Sequence, residues 1–322
     1  MKLLSLSLLS LALAGCGNPF DPANLVESVR LLAISADKPY AAPGDTVNMT
    51  ALAYDGRPPV TPAAAPMQVY WVPFACVDPP GDSYFGCYPY FAAAGLEEGV
   101  DLTPKLTAGT QFSFAVPQQN VLTHAGSPPY GVVFVFAIAC AGHVQYVGVN
   151  EDTLPPAPPL GCFDDTGAEL DANHSVFAYA QVFSFADRTN QNPVISNLIF
   201  NGKVVDPKVG ITVAHCPAGT RKCSTTSLDT VVPTSSWEPD PAETAVLGTP
   251  TNEEIWVDYF LTTGSVDGSA LLHAADPTVT LPSSVVQLTP PTTVPTGPQF
   301  LWAVAHDNRG GVSWLQVPLN VQ

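Results

Sequence analysis

The sequence predicts an all-β protein made of two β-sandwich domains. Apolar and polar residues alternate with a period of two, most clearly in 46–54, where Val47, Met49 and Ala51 share one face. The chain carries 34 prolines and 24 glycines among 322 residues, a content typical of short strands joined by turns. No long segment repeats its apolar positions at the helical period, and 92–99 is expected to form one short turn of helix at most.

The segments with strand composition are bounded by turn residues. In the first half they are 29–36, 46–54, 67–74, 111–116, 131–140 and 176–186. In the second half they are 194–200, 210–216, 254–262, 278–281, 299–306 and 312–321. The segment 131–140 is apolar on both faces, which predicts a central strand covered on both sides. Asn201-Gly202 predicts a hairpin-type turn, and 307–311 predicts the turn of a closing hairpin.

A polar stretch at 187–193 contains no core residue and divides the strand pattern into two. We therefore expect one domain at 26–188 and a second at 189–322. The openings of the two halves have loosely similar strand–turn–strand layouts. The first domain is long for a single sandwich, so inserted loops held by disulfides are expected within it.

The N-terminus has the order of a secretory signal. Lys2 precedes a short apolar run that is too short to cross a bilayer, which takes about 20 residues. The tetrapeptide Leu13-Ala14-Gly15-Cys16 resembles the lipobox of bacterial lipoproteins. The resemblance implies a signal peptide at 1–15 and acylation of Cys16, which makes the lipid bilayer a binding partner.

The residue after the lipobox indicates which membrane of a Gram-negative cell carries the protein. Gly17 stands where Asp would favour retention at the inner membrane of Gram-negative bacteria, so the resemblance implies the outer membrane. The segment 16–25 is expected to be a lipidated tether. The protein would then lie on the periplasmic or the cell-surface face of that membrane.

Six cysteines follow Cys16, an even number that favours disulfides in the oxidising periplasm. Six cysteines allow 15 connectivities. Sequence proximity favours three pairs that close short loops, namely Cys76–Cys87, Cys140–Cys162 and Cys216–Cys223. No Cys-x-x-Cys or similar spacing occurs, so we expect neither a metal site nor a cofactor.

The strand layout resembles the tandem immunoglobulin-like (Ig-like) domains of bacterial surface proteins. The segment 29–54 looks like the first two strands of such a module, and 300–321 looks like the last two. Trp71 lies where the third strand of a sandwich often buries a tryptophan. The whole chain, lipobox included, is similar to uncharacterised lipoproteins abundant in myxobacteria, and this likeness implies no known activity and no functional residue.

The charge balance excludes one class of partner. The chain has 28 Asp and Glu residues against 11 Lys and Arg residues, a net charge of −17. So few cations leave no basic track for nucleic acid. The charge also predicts that the protein does not adhere to anionic lipid, and that a partner offers a neutral or basic face.

One constellation resembles the GDSL-type esterases. Gly81-Asp82-Ser83, Gly148-Val149-Asn150 and Asp171-Ala172-Asn173-His174 follow the order of that family, and the resemblance implies Ser83 as nucleophile and His174 as its base. Ser83 departs from the family because it follows two prolines inside an expected disulfide loop rather than a strand. The α/β pattern that positions such a triad is also absent. A serine hydrolase using Ser83 and His174 is therefore the alternative function.

Asp164, Asp165 and Asp171 are carboxylates that could supply oxygen ligands to calcium. Their spacing does not match an EF-hand loop, which needs alternate ligands, a central glycine and a closing glutamate. The sequence 164–167 is more typical of a β-turn with solvated carboxylates. Whether calcium binds near these residues stays open at this point.

The leading prediction for function is a non-catalytic envelope lipoprotein that binds or scaffolds another surface or envelope protein. A purely structural spacer is a further alternative. Tyr84, Phe85 and Tyr88 crowd around Cys87 and are the predicted contact residues, because aromatic side chains are enriched in interface hot spots. The opposing interpretation is that these rings pack as a small core of their own loop.

Overall fold

A computed structural model of the chain describes residues 23–59, 65–126, 128–149, 156–276, 278–281 and 283–322. The expected signal peptide and Cys16 lie outside the described residues. The described chain is all-β, with Ig-like sandwiches as the sequence predicts. Within it, no helix is long and apolar enough to cross a membrane.

The strands of the first half are β1 (Val29–Ala36), β2 (Tyr40–Ala41), β3 (Thr46–Asp55), β4 (Gln68–Trp71), β5 (Cys76–Val77), β6 (Thr107–Ala108), β7 (Gln111–Ala115), β8 (Tyr130–Cys140), β9 (His143–Tyr146), β10 (Leu160–Phe163) and β11 (Ser175–Phe185). Those of the second half are β12 (Asn197–Phe200), β13 (Lys203–Val204), β14 (Ile211–Val213), β15 (Thr226–Val231), β16 (Ile255–Leu261), β17 (Ser265–Val266), β18 (Ala270–His273), β19 (Val286–Thr289), β20 (Phe300–Asp307) and β21 (Val312–Val321). The α-helices are α1 (Tyr88–Ala93) and α2 (Pro241–Leu247), and 3₁₀ turns span Pro80–Asp82, Tyr84–Cys87, Thr103–Lys105 and Thr234–Ser236.

The first sandwich packs the sheet β1-β3-β7 against the sheet β2-β11-β8-β4-β6, in which β5 also pairs with β8. Val47, Met49 and Ala51 are buried between the sheets, as their alternation predicts. Trp71 is fully buried, and its indole Nε1 donates a hydrogen bond of 2.9 Å to the Gly109 carbonyl. The predicted burial of this tryptophan is confirmed.

Strand β8 is central and covered on both faces, as predicted, because every residue after Tyr130 is buried. One face meets the β1-β3-β7 sheet, and the other is covered by a layer that contains α1, β9 and β10. Disulfides hold this covering layer in place. Cys76–Cys87 ties it to β5, and Cys140–Cys162 joins the end of β8 to β10.

The second sandwich repeats the strand order of the first. Its sheets are β13-β12-β15-β19-β17 and β14-β21-β20-β16-β18. In both halves a short strand, β2 or β14, pairs in parallel with the last strand, β11 or β21. The two openings that look similar in the sequence match only in part, because β12 and β14 correspond to β1 and β2, whereas the second long strand of the first opening is β3. Asn201 and Gly202 form the predicted hairpin turn with φ values of 50° and 72°, and glycine adopts such values without strain.

Three local predictions are wrong. The segment 278–281 is not a strand, because the Asp276 carboxylate accepts hydrogen bonds from the Thr278 amide and hydroxyl and closes a local turn; the strand nearby is β19. The first helix begins at Tyr88, before the expected 92–99. Helix α2 was not expected, although its start signal is present: Asp240 caps the amides of Ala242 and Glu243.

The two sandwiches lie side by side, with a sheet face of one against a sheet face of the other. Trp302 and Val304 on β20 are buried against Leu32 and Leu52 of β1 and β3. Trp302 is 1% exposed, and its ring centroid is 4.9 Å from that of Tyr54. Burial of these apolar side chains joins the sandwiches over the length of β1.

The residues before β1 contact the second sandwich first. The Val26 amide donates to the Leu261 carbonyl at 2.8 Å, and the Leu261 amide donates to the Asn24 carbonyl at 2.8 Å. The Asn24 side chain donates to the Val266 carbonyl at 2.7 Å. The N-terminal segment therefore enters the structure at the end of the second sandwich where β16 finishes. We call this the tether end.

At the opposite end, a buried arginine joins both sandwiches and the segment between them. Arg309 lies in the β20–β21 turn, and its guanidinium binds Glu253 (Nε–Oε2 2.9 Å), Glu238 (Nη2–Oε2 2.7 Å) and the Asn190 side chain. It also stands over the ring of Tyr40 in the first sandwich, 5.5 Å from the centroid. The segment 187–193 was predicted to lack a core residue, but Asn190 is buried here.

The same cluster contains more carboxylates than cations. Asp307 accepts hydrogen bonds from the amides of Arg309 and Gly311 at 2.7 and 2.8 Å. A Cβ at position 311 would lie 1.9 Å from the Asp307 carboxylate, so this turn requires glycine. Burial raises the pKa of Glu253 from 4.5 to about 7, and it also raises the pKa of Asp307. One arginine thus faces several acids that are costly to ionise together.

We predict that Glu253→Gln reduces the pH dependence of stability. Because the pKa of Glu253 is raised from 4.5 to about 7, the folded chain keeps a proton that the unfolded chain releases. The contribution of this proton to the free energy of unfolding is complete below the unfolded pKa and is lost as pH rises through the folded pKa. Urea denaturation at several pH values between about 5 and 8 measures the slope. Glu97→Gln, at an exposed position, is the matched control, and an equal slope in the Glu253→Gln variant and the wild type would contradict the prediction.

Candidate functional site

An exposed aromatic cluster lies on the covering layer of the first sandwich. Tyr84 stacks on Tyr179 of β11 with ring centroids 4.1 Å apart, and Phe85 packs edge-on against Tyr84 at 5.4 Å. Phe85 is 40% exposed and Tyr179 is 42% exposed. Burial, together with the neighbouring Tyr84, raises the pKa of Tyr179 above its ordinary value. The Cys76–Cys87 disulfide fixes the backbone that carries Tyr84 and Phe85.

The aromatic cluster continues onto the second sandwich, across the contact between the two sandwiches. A crevice of about 230 Å³ lies between the two, lined by Tyr179 and Gln181 on one side and His306 on the other. The His306 ring stacks on Trp256 at 5.1 Å, and its Nε2 is 3.3 Å from the Asp258 carboxylate. We call the set Tyr84, Phe85, Tyr179, Trp256 and His306 the composite aromatic surface. Its two parts are adjacent only because the sandwiches are packed side by side.

The prediction that Tyr88 is a contact residue is wrong. Tyr88 is 1% exposed at the start of α1 and packs edge-on against Phe91 and Phe177 in the core of the covering layer. The alternative interpretation, that rings near Cys87 form a core, therefore holds for Tyr88 but not for Phe85. Tyr179, Trp256 and His306 were missed, because they lie on strands distant in sequence and their alternation gives no sign of which face is open.

The structure does not bring the serine and histidine of the esterase-like pattern together. Ser83 lies between two 3₁₀ turns inside the Cys76–Cys87 loop. His174 lies at the tether end, where its Nδ1 is 2.6 Å from the Asp171 carboxylate. Tyr84, next to Ser83, stacks on Tyr179, which is five residues from His174 along the chain and therefore roughly 17 Å away in extended conformation. Asn150 of the same pattern lies outside the described residues.

Two of the carboxylates considered for calcium, those of Asp164 and Asp171, accept hydrogen bonds within their own turns, and Asp165 is exposed. One Asp164 oxygen accepts hydrogen bonds from the amides of Thr166 and Ala168 at 2.8 and 3.0 Å. The hydrogen bond from His174 lowers the pKa of Asp171. In the part of the chain that the structure describes, no three His, Cys, Asp or Glu side chains converge as metal ligands do. The three disulfides are the pairs that sequence proximity favours, with Cys216–Cys223 as the third.

A larger cleft of about 1180 Å³ lies between the sandwiches at the tether end. Tyr54, Arg57 and His174 line it on one side and Pro298 on the other. The Arg57 guanidinium is bound through Nε and Nη2 to the Asp55 carboxylate at 2.8 Å each. This ion pair raises the pKa of Arg57 and lowers that of Asp55. The charges of Arg57 and Asp55 thus satisfy each other.

We predict that Tyr88 and Phe85 differ sharply in their effect on stability. Tyr88→Ala removes a buried ring and should lower the free energy of unfolding by about 3–5 kcal/mol. Phe85→Ala should lower it by about 1 kcal/mol or less, because the ring is partly exposed. Urea denaturation of the oxidised protein measures both, with Tyr88→Phe as a control that keeps the ring. Equal losses for the two alanine variants would show that Phe85 is also core.

Comparisons with known proteins give only remote likenesses. No family model matches the chain, and no curated protein matches it. Among solved structures, it is similar to a nucleoside hydrolase-related hypothetical protein from Saccharophagus degradans that is associated with carbohydrate metabolism (14% identity, TM-score 0.23, covering 43% of this chain and 27% of that one).

Two further solved structures are similar to the chain at low identity. One comprises three N-terminal domains of the outer capsid protein Hoc of bacteriophage RB49 (10% identity, TM-score 0.19, covering 90% of this chain and 58% of that one). The other is murine CEACAM1b (10% identity, TM-score 0.20, covering 90% of this chain and all, 100%, of that one). This chain spans about a quarter, 27%, of the Saccharophagus protein. With such low TM-scores these likenesses carry no argument about activity or partners.

Proposed function

We propose that this chain is a non-catalytic lipoprotein of the bacterial outer membrane that displays a fixed pair of Ig-like sandwiches to a protein partner. The observation that carries the proposal is the composite aromatic surface. Tyr84 stacks on Tyr179 and meets Phe85 edge-on, and the rings of Phe85 and Tyr179 are exposed. Tyrosine is enriched in the hot spots of protein–protein interfaces.

Anchoring is supported by the lipobox-like sequence that ends at Cys16. The residues that follow it enter the fold through the Asn24 and Val26 contacts with the second sandwich. The anchor would therefore be attached to the tether end of a block formed by both sandwiches. The composite aromatic surface lies along the side of that block, at the β11 strand and the crevice next to it.

The side-by-side packing favours display over a role as a spacer. A spacer gains reach when its domains follow one another end to end. Here the faces of β1, β3 and β20 are buried against each other, so the second sandwich adds width instead of length. It also completes a surface that neither sandwich has alone. The net charge of −17 favours a partner with a neutral or basic face.

We predict that a photoreactive amino acid at position 85 or 179, introduced in living cells, captures one defined protein in the membrane fraction. The same amino acid at Tyr90, which is 48% exposed on the covering layer, is the matched control and should capture no such product. Phe85→Ala combined with Tyr179→Ala should abolish capture by a probe at Trp256, with the thermal midpoint nearly unchanged.

The anchor is tested in the same cells. Cys16→Ser should move the protein from the membrane fraction to the soluble fraction, because the acyl chains are lost. If positions 85, 179 and 90 give the same products, the choice of surface is wrong. If the Cys16→Ser variant stays in the membrane fraction, the proposed anchor is wrong.

A further inference from the structure

The cations of this acidic protein are concentrated in one segment of the second sandwich. Residues 201–225, here called the basic segment, contain four of the chain's 11 Lys and Arg residues and only one of its 28 Asp and Glu residues. The four are Lys203, Lys208, Arg221 and Lys222. All are exposed, and none forms an ion pair with a residue that the structure describes.

The basic segment also exposes apolar side chains and has a rigid closure. Val204 is 66% exposed and Val209 is 65% exposed, next to Lys203 and Lys208. The Cys216–Cys223 disulfide closes the loop that carries Arg221 and Lys222. Within this loop the two cations Arg221 and Lys222 are adjacent and exposed, as cations that contact anionic headgroups must be.

A series of hydrogen-bonded strands places this loop at the tether end. Asn24 binds the Val266 carbonyl, and Val266 of β17 pairs with Leu288 of β19. Leu288 in turn pairs with Thr226, the first residue of β15 and the third after Cys223. On the other side of the loop, the Cys216 amide donates to the Pro291 carbonyl at 2.7 Å, just beyond the end of β19. Both ends of the loop are thus fixed at the end of the sandwich where the N-terminal segment enters.

From this arrangement we infer that the disulfide-closed loop of the basic segment, which carries Arg221 and Lys222, is a second membrane contact that binds the anionic headgroups of the bilayer carrying the anchor. The inference rests on the proposed lipid anchor at Cys16. The eight residues from Cys16 to Ala23 span at most about 28 Å, so the tether end stays close to the bilayer. Attraction acts within a Debye length of about 10 Å, and each cation that reaches the headgroups shifts the equilibrium by about fivefold.

This contact is local and departs from the prediction, made from net charge alone, that the protein does not adhere to anionic lipid. With four cations removed from the count, the rest of the chain is more acidic than its net charge of −17 suggests. Its other faces are therefore repelled by an anionic surface. Attraction at the basic segment and repulsion elsewhere together favour one orientation. In this orientation the tether end faces the bilayer, and the composite aromatic surface lies on the side of the molecule.

Hydrogen exchange on vesicles tests the inference. Lipidated full-length protein is reconstituted into vesicles of phosphatidylcholine alone or with about one-third phosphatidylglycerol, and amide exchange of residues 214–225 is followed by mass spectrometry. We expect exchange to slow at least about fivefold on the anionic vesicles at about 0.05 M salt and to recover at about 1 M, where the Debye length is about 3 Å. Equal exchange on both kinds of vesicle would overturn the inference.

Charge variants separate this contact from a general effect of net charge. Arg221→Glu combined with Lys222→Glu should remove the protection. Lys38→Glu combined with Lys105→Glu changes the net charge by the same amount at one half-buried and one exposed position of the first sandwich and should leave the protection intact. Loss of protection in both double variants would mean that net charge alone governs the effect, and the inference would fail.

A second experiment tests the membrane contact independently of the lipid anchor. The chain carries a polyhistidine tag in place of residues 1–16 and is attached to the same vesicles through a nickel-chelating lipid. If cells yield no lipidated protein but the tagged chain shows salt-sensitive protection, the anchor is wrong and the membrane contact stands. If lipidated protein is obtained and neither form shows protection, the anchor stands and the membrane contact is wrong.

Discussion

The arrangement of this molecule depends on one buried guanidinium. Apolar burial around Trp302 draws the two sandwiches together, but it has no preferred direction and permits sliding. Arg309 supplies direction, because its planar fork binds Glu253, Glu238 and Asn190 at fixed angles while Tyr40 covers its face. Three parts of the chain, the first sandwich, the connecting segment and the second sandwich, meet at this one side chain.

What this constraint creates is a surface shared by both sandwiches. Tyr179 and His306 line the same crevice although they are 127 residues apart in the sequence. A hinge between the sandwiches would separate them. The same fixed packing brings the tether, the basic segment and the large cleft to one end of the block and Arg309 to the other. The proposed display of a partner-binding face and the inferred membrane contact both require that this relation be constant.

The sequence predicts those parts of the fold that local patterns encode. Alternation in 46–54 correctly identifies the buried face of β3, continuous apolarity identifies β8, and the position of Trp71 identifies its burial. Each of these depends on neighbours within a few residues. The same logic fails at Tyr88, because a run of aromatics near a disulfide looks alike whether its rings face the core or solvent.

The contact between the two sandwiches could not be predicted from the sequence, for a different reason. Both 187–193 and 307–311 have the polar, turn-forming composition of solvent-exposed connections, yet Asn190 and Arg309 are buried against each other from positions 119 apart. A buried charge is identified only by its partners, and these come from separate strands. The composite aromatic surface has the same origin, since it is made by packing two sandwiches and not by any one segment.

Small-angle X-ray scattering of the chain without its signal peptide, compared with its Arg309→Met variant, tests the central claim most directly. For one compact block of this length, the account predicts a radius of gyration of about 19 Å in the wild type and a pair-distance distribution with a single maximum. Replacing Arg309 leaves buried carboxylates unpaired, so the variant should show a larger radius and a broader distribution. Two maxima in the wild type, or identical profiles for the two proteins, would contradict the claim that this arginine fixes the sandwiches side by side.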